Sequence, residues 1–249
     1  MLRVRGRWGK LSSSPFSTID SQPPTTATLG VVDYGSGNLR SVCKALEAVG
    51  ARVHLFSSPE DLERIDAVVV PGVGAFGDCA RNLRATGLWE PLREWIAADR
   101  PYLGICLGYQ LLFESSEETP GVEGLGALAG TVRRFPNDGL KVPHIGWNRL
   151  RLREPVDRLY TGLPEDPSVY FVHSFHPVPA DDSIVSATCE YGAPFAASVT
   201  RGNLSAVQFH PEKSQRNGLA ILRNFVASVS STGISTSTPE SPDAVAASH

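Results

Sequence analysis

The sequence predicts an α/β protein with a central, mostly parallel sheet and helices on both faces. Three observations carry that reading. Short apolar runs alternate with helical patterns through the first half of the chain, the βαβ rhythm of a parallel sheet. Two of those runs end in glycine-flanked turns, at Pro71–Gly74 and Gly104–Gly108. The second half changes to short β-rich runs with little helix, then closes on one helical pattern.

Taken in order, Leu29–Asp33 reads as a strand, and Leu39, Val42, Leu46 and Val49 then recur at helical spacing before Gly50, a natural stop. Arg52–Phe56 and Ala67–Val70 read as strands. Leu83 to Ala97 offers helical turns interrupted by Gly87 and Pro91. Tyr102–Ile105 is a short buried strand, followed by a helix expected to run through Leu111 and Leu112. Within 129–209 the clearest strands are Val169–Val172, Ile184–Thr188, Phe195–Val199 and Leu204–Phe209. The last helix is expected to begin near Ser214 as its N-cap and to bury Leu219, Leu222, Phe225, Val226 and Val229.

The ends differ in character. Residues 1–28 carry Arg3, Arg5, Arg7 and Lys10 against Asp20 alone, then a Pro/Thr/Ser stretch. The lack of a continuous apolar segment argues against a signal peptide; the Arg- and Ser-rich, acid-poor start has transit-peptide composition, but is read as a disordered extension or a start codon assigned too early. Residues 231–249, rich in Ser, Thr, Pro and Ala, read as a disordered tail. The folded domain is expected over 29–230.

Composition narrows the function classes. The 249 residues, 41% of them hydrophobic, suffice for a proper core. A net charge of −3 argues against a nucleic-acid footprint, and no apolar run suits a membrane span. Cys43, Cys79, Cys106 and Cys189 are widely spaced with no C-x-x-C pair, which fits a reducing compartment and a cytoplasmic location. Cys43 and Cys189 are expected in the core; Cys79 lies near the glycine-rich loop with no evident pair. His54 is expected to be structural. His173 and His176 lack a third ligand at metal spacing, so no metal or cofactor is expected.

The sharpest chemical signal is Gly104-Ile105-Cys106-Leu107-Gly108, a glycine-flanked nucleophile between a strand and a helical pattern. Sharp reversal from strand to helix crowds the flanking positions, so glycine is needed there, and the central side chain is exposed at the sheet edge. A helix N-terminus beneath a thiol also favours its thiolate. Such a nucleophile needs a base and an orienter. His210-Pro211-Glu212 follows the apolar run Leu204–Phe209, and residues two apart in an extended segment point to the same side. Pro71-Gly72-Val73-Gly74 can aim backbone N–H groups into a crevice and, with the Leu107 N–H, hold an oxyanion. Gly35-Ser36-Gly37-Asn38 is a weaker phosphate-binding candidate.

With these motifs the chain resembles the class I (triad) glutamine amidotransferases, and within them the glutaminase subunits of imidazole glycerol phosphate synthase. The segments that carry the resemblance are DYGSGNLRSV (33–42), PGVGAFGDC (71–79), GICLGYQLLFESSEE (104–118), GLGALAGTVRRF (124–135), VPHIGWNRL (142–150), YFVHSFH (170–176) and AVQFHPEKSQRNGLAILRNF (206–225). The resemblance implies a flavodoxin-like domain that hydrolyses glutamine through a thioester on Cys106, with His210 as base and Glu212 as its orienter. It implies an oxyanion site from Leu107 and the Val73 or Gly74 N–H, and glutamine binding by Gly72, Gly74, Gln110, Glu118, Ser174 and Phe175. It implies a separate (β/α)₈-barrel cyclase subunit that receives the ammonia, forming a heterodimer through Asn38, Trp147, Tyr170 and Lys213, and that accelerates an otherwise slow glutaminase through the PGVG loop. One departure is Ile145, where the family usually has Met. The alternatives are a glutaminase feeding another synthase, a silent scaffold and a cysteine peptidase. The G-W-N and PGVG segments argue against the first, intact Cys106, His210 and Glu212 against the second, and the lack of a legible peptide groove against the third.

Overall fold

The computed structural model describes residues 27–136 and 139–232. The extensions expected at 1–28 and 231–249 lie outside the described residues, except that Thr28 already opens the first strand and the last helix reaches Thr232. The first half runs β1 (Thr28–Val32), α1 (Leu39–Ala48), β2 (Arg52–Phe56), β3 (Ala67–Gly72), α2 (Phe76–Ala85), α3 (Trp89–Ala97), β4 (Tyr102–Cys106) and α4 (Leu107–Gln110). The second half adds β5 (Ser115–Ser116), β6 (Gly130–Arg134), β7 (His144–Leu152), β8 (Ser168–His173), β9 (Phe175–Pro179), β10 (Val185–Tyr191), β11 (Ala193–Arg201), β12 (Leu204–Val207) and α5 (Gln215–Thr232).

The main sheet has nine strands in the order β2-β1-β3-β4-β12-β11-β10-β7-β8. From β2 to β12 every neighbouring pair is parallel; from β12 to β8 every pair is antiparallel. The sheet is therefore mixed, and its parallel half carries the helices. β5, β6 and β9 form a second, three-stranded sheet. Strand periodicity explains the layering: in β3, Val68 and Val70 face one core cluster while Ala67 and Val69 face the other. The first cluster takes Phe76 and Leu83 of α2 and Leu92 and Ile96 of α3. The second takes Val42 and Leu46 of α1 with Leu222 and Phe225 of α5. A parallel strand covered on both faces has no solvent side, and so reads as a continuous apolar run.

Three expectations are corrected. Helical structure after β3 begins at Phe76, not Leu83, because Phe76, Cys79, Ala80 and Leu83 already form a buried face. Gly87, at φ 75, separates α2 from α3, and Pro91 falls in the first turn of α3, where its missing N–H costs nothing. Second, α4 stops after four residues instead of running through Leu112. The carbonyls of Leu111, Leu112 and Phe113 accept instead from the N–H groups of Leu125, Leu128 and Gly126. Third, Ser214 stands at the N-cap position of α5 as expected, its carbonyl accepting from the Gly218 N–H at 3.0 Å, but its hydroxyl is turned elsewhere, donating to the His210 carbonyl at 2.7 Å and accepting from the Tyr170 N–H at 2.9 Å.

Candidate active site

The parallel strands β3, β4 and β12 end side by side, and the site forms beyond their carboxyl ends, where ligands of open α/β sheets bind. Cys106 closes β4 at φ 55 and ψ −106, a conformation that side chains other than glycine's rarely adopt. The flanking glycines are steric necessities. A Cβ on Gly108 would lie 1.8 Å from the Val70 carbonyl oxygen, and one on Gly104 would lie 2.8 Å from the Gly108 carbonyl oxygen. The expected sharp turn is thus present. Because α4 is a single turn, the electropositive end beneath the sulfur is limited to that turn's N–H groups.

His210 sits three residues past β12, held by its N–H donating to the Tyr170 carbonyl at 2.9 Å and by its own carbonyl under the Ser214 hydroxyl. Its Nδ1 lies 2.9 Å from Glu212 Oε1, with side-chain exposures of 2% and 1%. The carboxylate accepts, so Nδ1 carries the proton and Nε2 is left for the cavity side. Nε2 is buried without a hydrogen bond of normal geometry. Nε2 and the Cys106 sulfur border the same cavity. Burial alone pulls the His210 pKa down. The charge of the nearby Cys106 sulfur, then the Glu212 hydrogen bond and charge, outweigh burial and raise it to about 10. The arrangement favours an imidazolium facing sulfur.

The Pro71–Gly74 loop is held from behind. Tyr34 Oη donates to the Pro71 carbonyl at 2.7 Å, Ser36 Oγ to the Val73 carbonyl at 2.5 Å, and Cys79 Sγ lies 3.5 Å from that same carbonyl. Cys79, expected to have no pair, is therefore part of this anchor, and it also touches Ser36 Oγ at 3.2 Å. Ser36 comes from the weak phosphate candidate and here binds a carbonyl instead. A planar trans peptide sends the Gly74 N–H the opposite way from the anchored Val73 oxygen. Gly74 itself has φ 100, a glycine conformation.

A cavity of about 270 Å³ is lined by Val73, Gly74, Cys106, Leu107, Gln110, Glu118, Pro143, Val172, His173, Ser174, Phe175 and His210. Of the residues expected around glutamine, Gly74, Gln110, Glu118, Ser174 and Phe175 line it, while Gly72 pairs with Cys106 across β3 and β4 outside the lining. Glu118 Oε2 accepts from the Phe76 N–H at 2.7 Å, which fixes its carboxylate at the start of α2. Glu212 stands behind His210.

Sequence reasoning missed Gln208, which is 0% exposed and donates from Nε2 to the Cys106 sulfur at 3.7 Å. The signal was available: Gln208 and His210 are two apart at the end of an apolar run, so an extended chain turns both to one side. It also missed a buried histidine pair. His173 Nδ1 donates to the Phe175 carbonyl at 2.8 Å, which leaves its Nε2 to accept from His144 Nδ1 at 3.1 Å, and His144 Nε2 to accept from Asn148 Nδ2 at 3.3 Å. Burial lowers the His144 pKa to about 4 and the His173 pKa to about 3, so both rings are neutral. His54 pairs with Asp61 at 3.1 Å, Cys189 is buried, and Cys43 is half-buried against the core.

The residues expected at a partner interface divide in two. Trp147, 49% exposed, packs edge-on against Tyr170 at 6.0 Å between ring centroids, and the Lys213 ammonium lies 6.0 Å from that same ring. Asn38 is exposed ahead of α1, and α1 packs against the Pro211–Lys213 turn.

A mixed sheet, covered on both faces along its parallel half, with a strained cysteine and a buried histidine–glutamate pair at the ends of those strands defines a glutamine amidotransferase of class I, and residues 30–229 match the family described as "Glutamine amidotransferase class-I". Solved structures share the fold: a glutamine amidotransferase at TM-score 0.64 (21% identity; 82% of this chain, 98% of that one), and PurLQS from Thermotoga maritima at TM-score 0.65 (18% identity; 82% and 99%). Three relatives carry the name imidazole glycerol phosphate synthase subunit HisH. The Microcystis aeruginosa protein is 50% identical over 204 residues (81% of this chain, 95% of the relative). That of Nostoc punctiforme is 51% identical over 204 residues (81% and 96%), and that of Syntrophotalea carbinolica 49% over 201 (78% and 97%). The chain belongs to this HisH family of glutamine amidotransferases.

Proposed function

We propose that Cys106 attacks the side-chain amide of glutamine, with His210 as proton carrier and Glu212 as the group that orients it. As a HisH-family member the chain is the glutamine amidotransferase subunit of imidazole glycerol phosphate synthase. The observation that carries the assignment of roles is the convergence of Cys106 and His210 on one cavity, with Glu212 on the far side of the imidazole. In the thiolate–imidazolium pair the sulfur adds to the amide carbon, and the carbonyl oxygen becomes an oxyanion. The N–H groups of Leu107 and of Val73 or Gly74 receive that charge. His210 gives its proton to the departing ammonia, leaving a γ-glutamyl thioester. The now neutral imidazole takes a proton from water, whose oxygen adds to the thioester carbon; the C–S bond breaks, which releases glutamate and restores the thiolate–imidazolium pair.

Gln110, Glu118, Ser174 and Phe175, with the backbone at Gly72 and Gly74, hold the glutamine. The ammonia passes to a separate cyclase subunit that forms imidazole glycerol phosphate and an aminoimidazole carboxamide ribotide in histidine biosynthesis. The partner docks on the face bearing Asn38, Trp147, Tyr170 and Lys213, as a heterodimer in the cytoplasm. Among the described residues no helix is long and apolar enough to cross a membrane.

The test is Cys106→Ala in a complex reconstituted with the cyclase. Glutamine hydrolysis is expected to vanish while synthesis from free ammonium continues. Loss of both activities in a folded complex, or survival of both, contradicts the division of labour.

A further inference from the structure

Gln208 is fully buried, carries no charge, and has no part in the proton transfers above. Its orientation is dictated by a chain of forced choices that starts at a backbone carbonyl. The Phe175 oxygen can only accept; it takes His173 Nδ1–H at 2.8 Å and Gln110 Nε2–H at 3.0 Å. Gln110 must therefore turn its NH₂ group that way, and its second N–H meets Gln208 Oε1 at 3.1 Å. Gln208 is left with its own NH₂ group facing the Cys106 sulfur at 3.7 Å. Turning either amide over would set two NH₂ groups face to face, or two acceptor oxygens, in a buried site.

We propose that Gln208 is a positioning residue for the nucleophile, its amide donating to the Cys106 thiolate in a direction set by the Phe175 carbonyl through Gln110. The inference rests on the reading of Cys106 as nucleophile and adds a second anchor to it. His210 must leave the sulfur once it protonates ammonia, whereas an amide N–H has no proton to give and stays in place through the cycle. A donor to sulfur stabilises the anion over the thiol, since hydrogen bonds to a charged group are stronger than neutral ones. It also restrains the side chain of a residue whose backbone is already strained. The other titratable groups around the sulfur are His210 from the segment after β12, Tyr34 from the segment after β1, Cys79 on α2, and His173 and Glu118 in the cavity wall.

The experiment measures the rate of Cys106 alkylation by iodoacetamide against pH in the full chain with its cyclase, for the parent, Gln208→Leu and Gln208→Glu. The Cys106 peptide is followed by mass, so that Cys43, Cys79 and Cys189 do not contribute. Gln208→Leu is expected to move the midpoint up by about one pH unit. It is expected to lower kcat for glutamine by about tenfold. Gln208→Glu keeps the size of the side chain while pointing an anion at sulfur; it is expected to shift the midpoint further, and serves where leucine disturbs folding. A profile and kcat equal to the parent's in either folded variant overturns the proposal. The alkylation profile needs no substrate, so a parent chain that fails to hydrolyse glutamine would refute the functional reading without deciding the role of Gln208.

Discussion

The His210 imidazole and the Glu212 carboxylate meet at 2.9 Å across a turn that begins at Pro211, and water is shut out from both side chains. The geometry fixes which imidazole nitrogen carries the proton and supports the charged ring. Glu212→Gln is expected to lower kcat by about 10² to 10⁴-fold, because an amide can present the wrong partner to Nδ1 and no longer offsets imidazolium charge. It also lowers the His210 pKa, so the alkaline limb of kcat, expected near pH 10 in the parent, moves to lower pH. A pH–rate series on both proteins checks the two effects together; an unmoved alkaline limb would refute the charge coupling.

The buried His144–His173 pair predicts acid sensitivity. Both rings have folded pKa values, about 4 and about 3, below their unfolded value near 6.5. Their neutral forms therefore contribute stability that is present above the unfolded value and lost as pH falls toward the folded ones. The slope is up to about 1.4 kcal/mol per pH unit for each ring. Denaturant titrations between pH 7 and 4 are expected to show a shallower slope in His144→Gln than in the parent.

Gly108 has no room for a side chain. Gly108→Ala sets a methyl 1.8 Å from the Val70 carbonyl oxygen, a contact with backbone that only movement of β3 or α4 relieves. The expected cost is about 3 kcal/mol or more, read as a fall in Tm or failure to fold. A stable, active alanine variant would show that the turn is looser than its geometry implies.

The Ser36 hydroxyl holds the Val73 carbonyl and so the tilt of the Val73–Gly74 peptide. Ser36→Ala removes one hydrogen bond of two on that oxygen. If the peptide serves the oxyanion as proposed, and not the ground state, kcat is expected to fall by about tenfold with little change in KM. Steady-state kinetics of glutamine hydrolysis separate the two constants. An increase in KM alone would move the loop's role to substrate binding.

Trp147 is large, half-exposed and braced by Tyr170. Trp147→Ala is expected to weaken the complex with the cyclase by about 2 kcal/mol or more, measured by calorimetry, while leaving the Tm of the isolated chain nearly unchanged. Unchanged affinity would place the docking surface elsewhere.

Strand and helix periodicity in the sequence was enough for the layers: β1 to β4 and β12 with helices on both faces, and the apolar stripe of α5. Local chemistry was enough for Cys106 between its glycines, because a sharp strand-to-helix reversal writes its steric demands into adjacent residues. What reached across the chain was less legible. The arrest of α4 depends on carbonyls claimed by residues 125–128, and the Ser214 position ahead of α5 was legible while the use of its hydroxyl, between Tyr170 and His210, was not.

The sequence by itself determined the sharp turn at Cys106, the His-Pro-Glu pair and the α/β class, since each rests on contacts between near neighbours or on a repeating period. Only the tertiary structure decided that Gln208 faces the sulfur, that Ser36 and Cys79 anchor the loop carbonyl, and that His144 and His173 share one proton chain. Those interactions join residues distant in the chain, and hydrogen-bond direction in a buried network is set by which acceptors are already occupied, a property that no single segment carries.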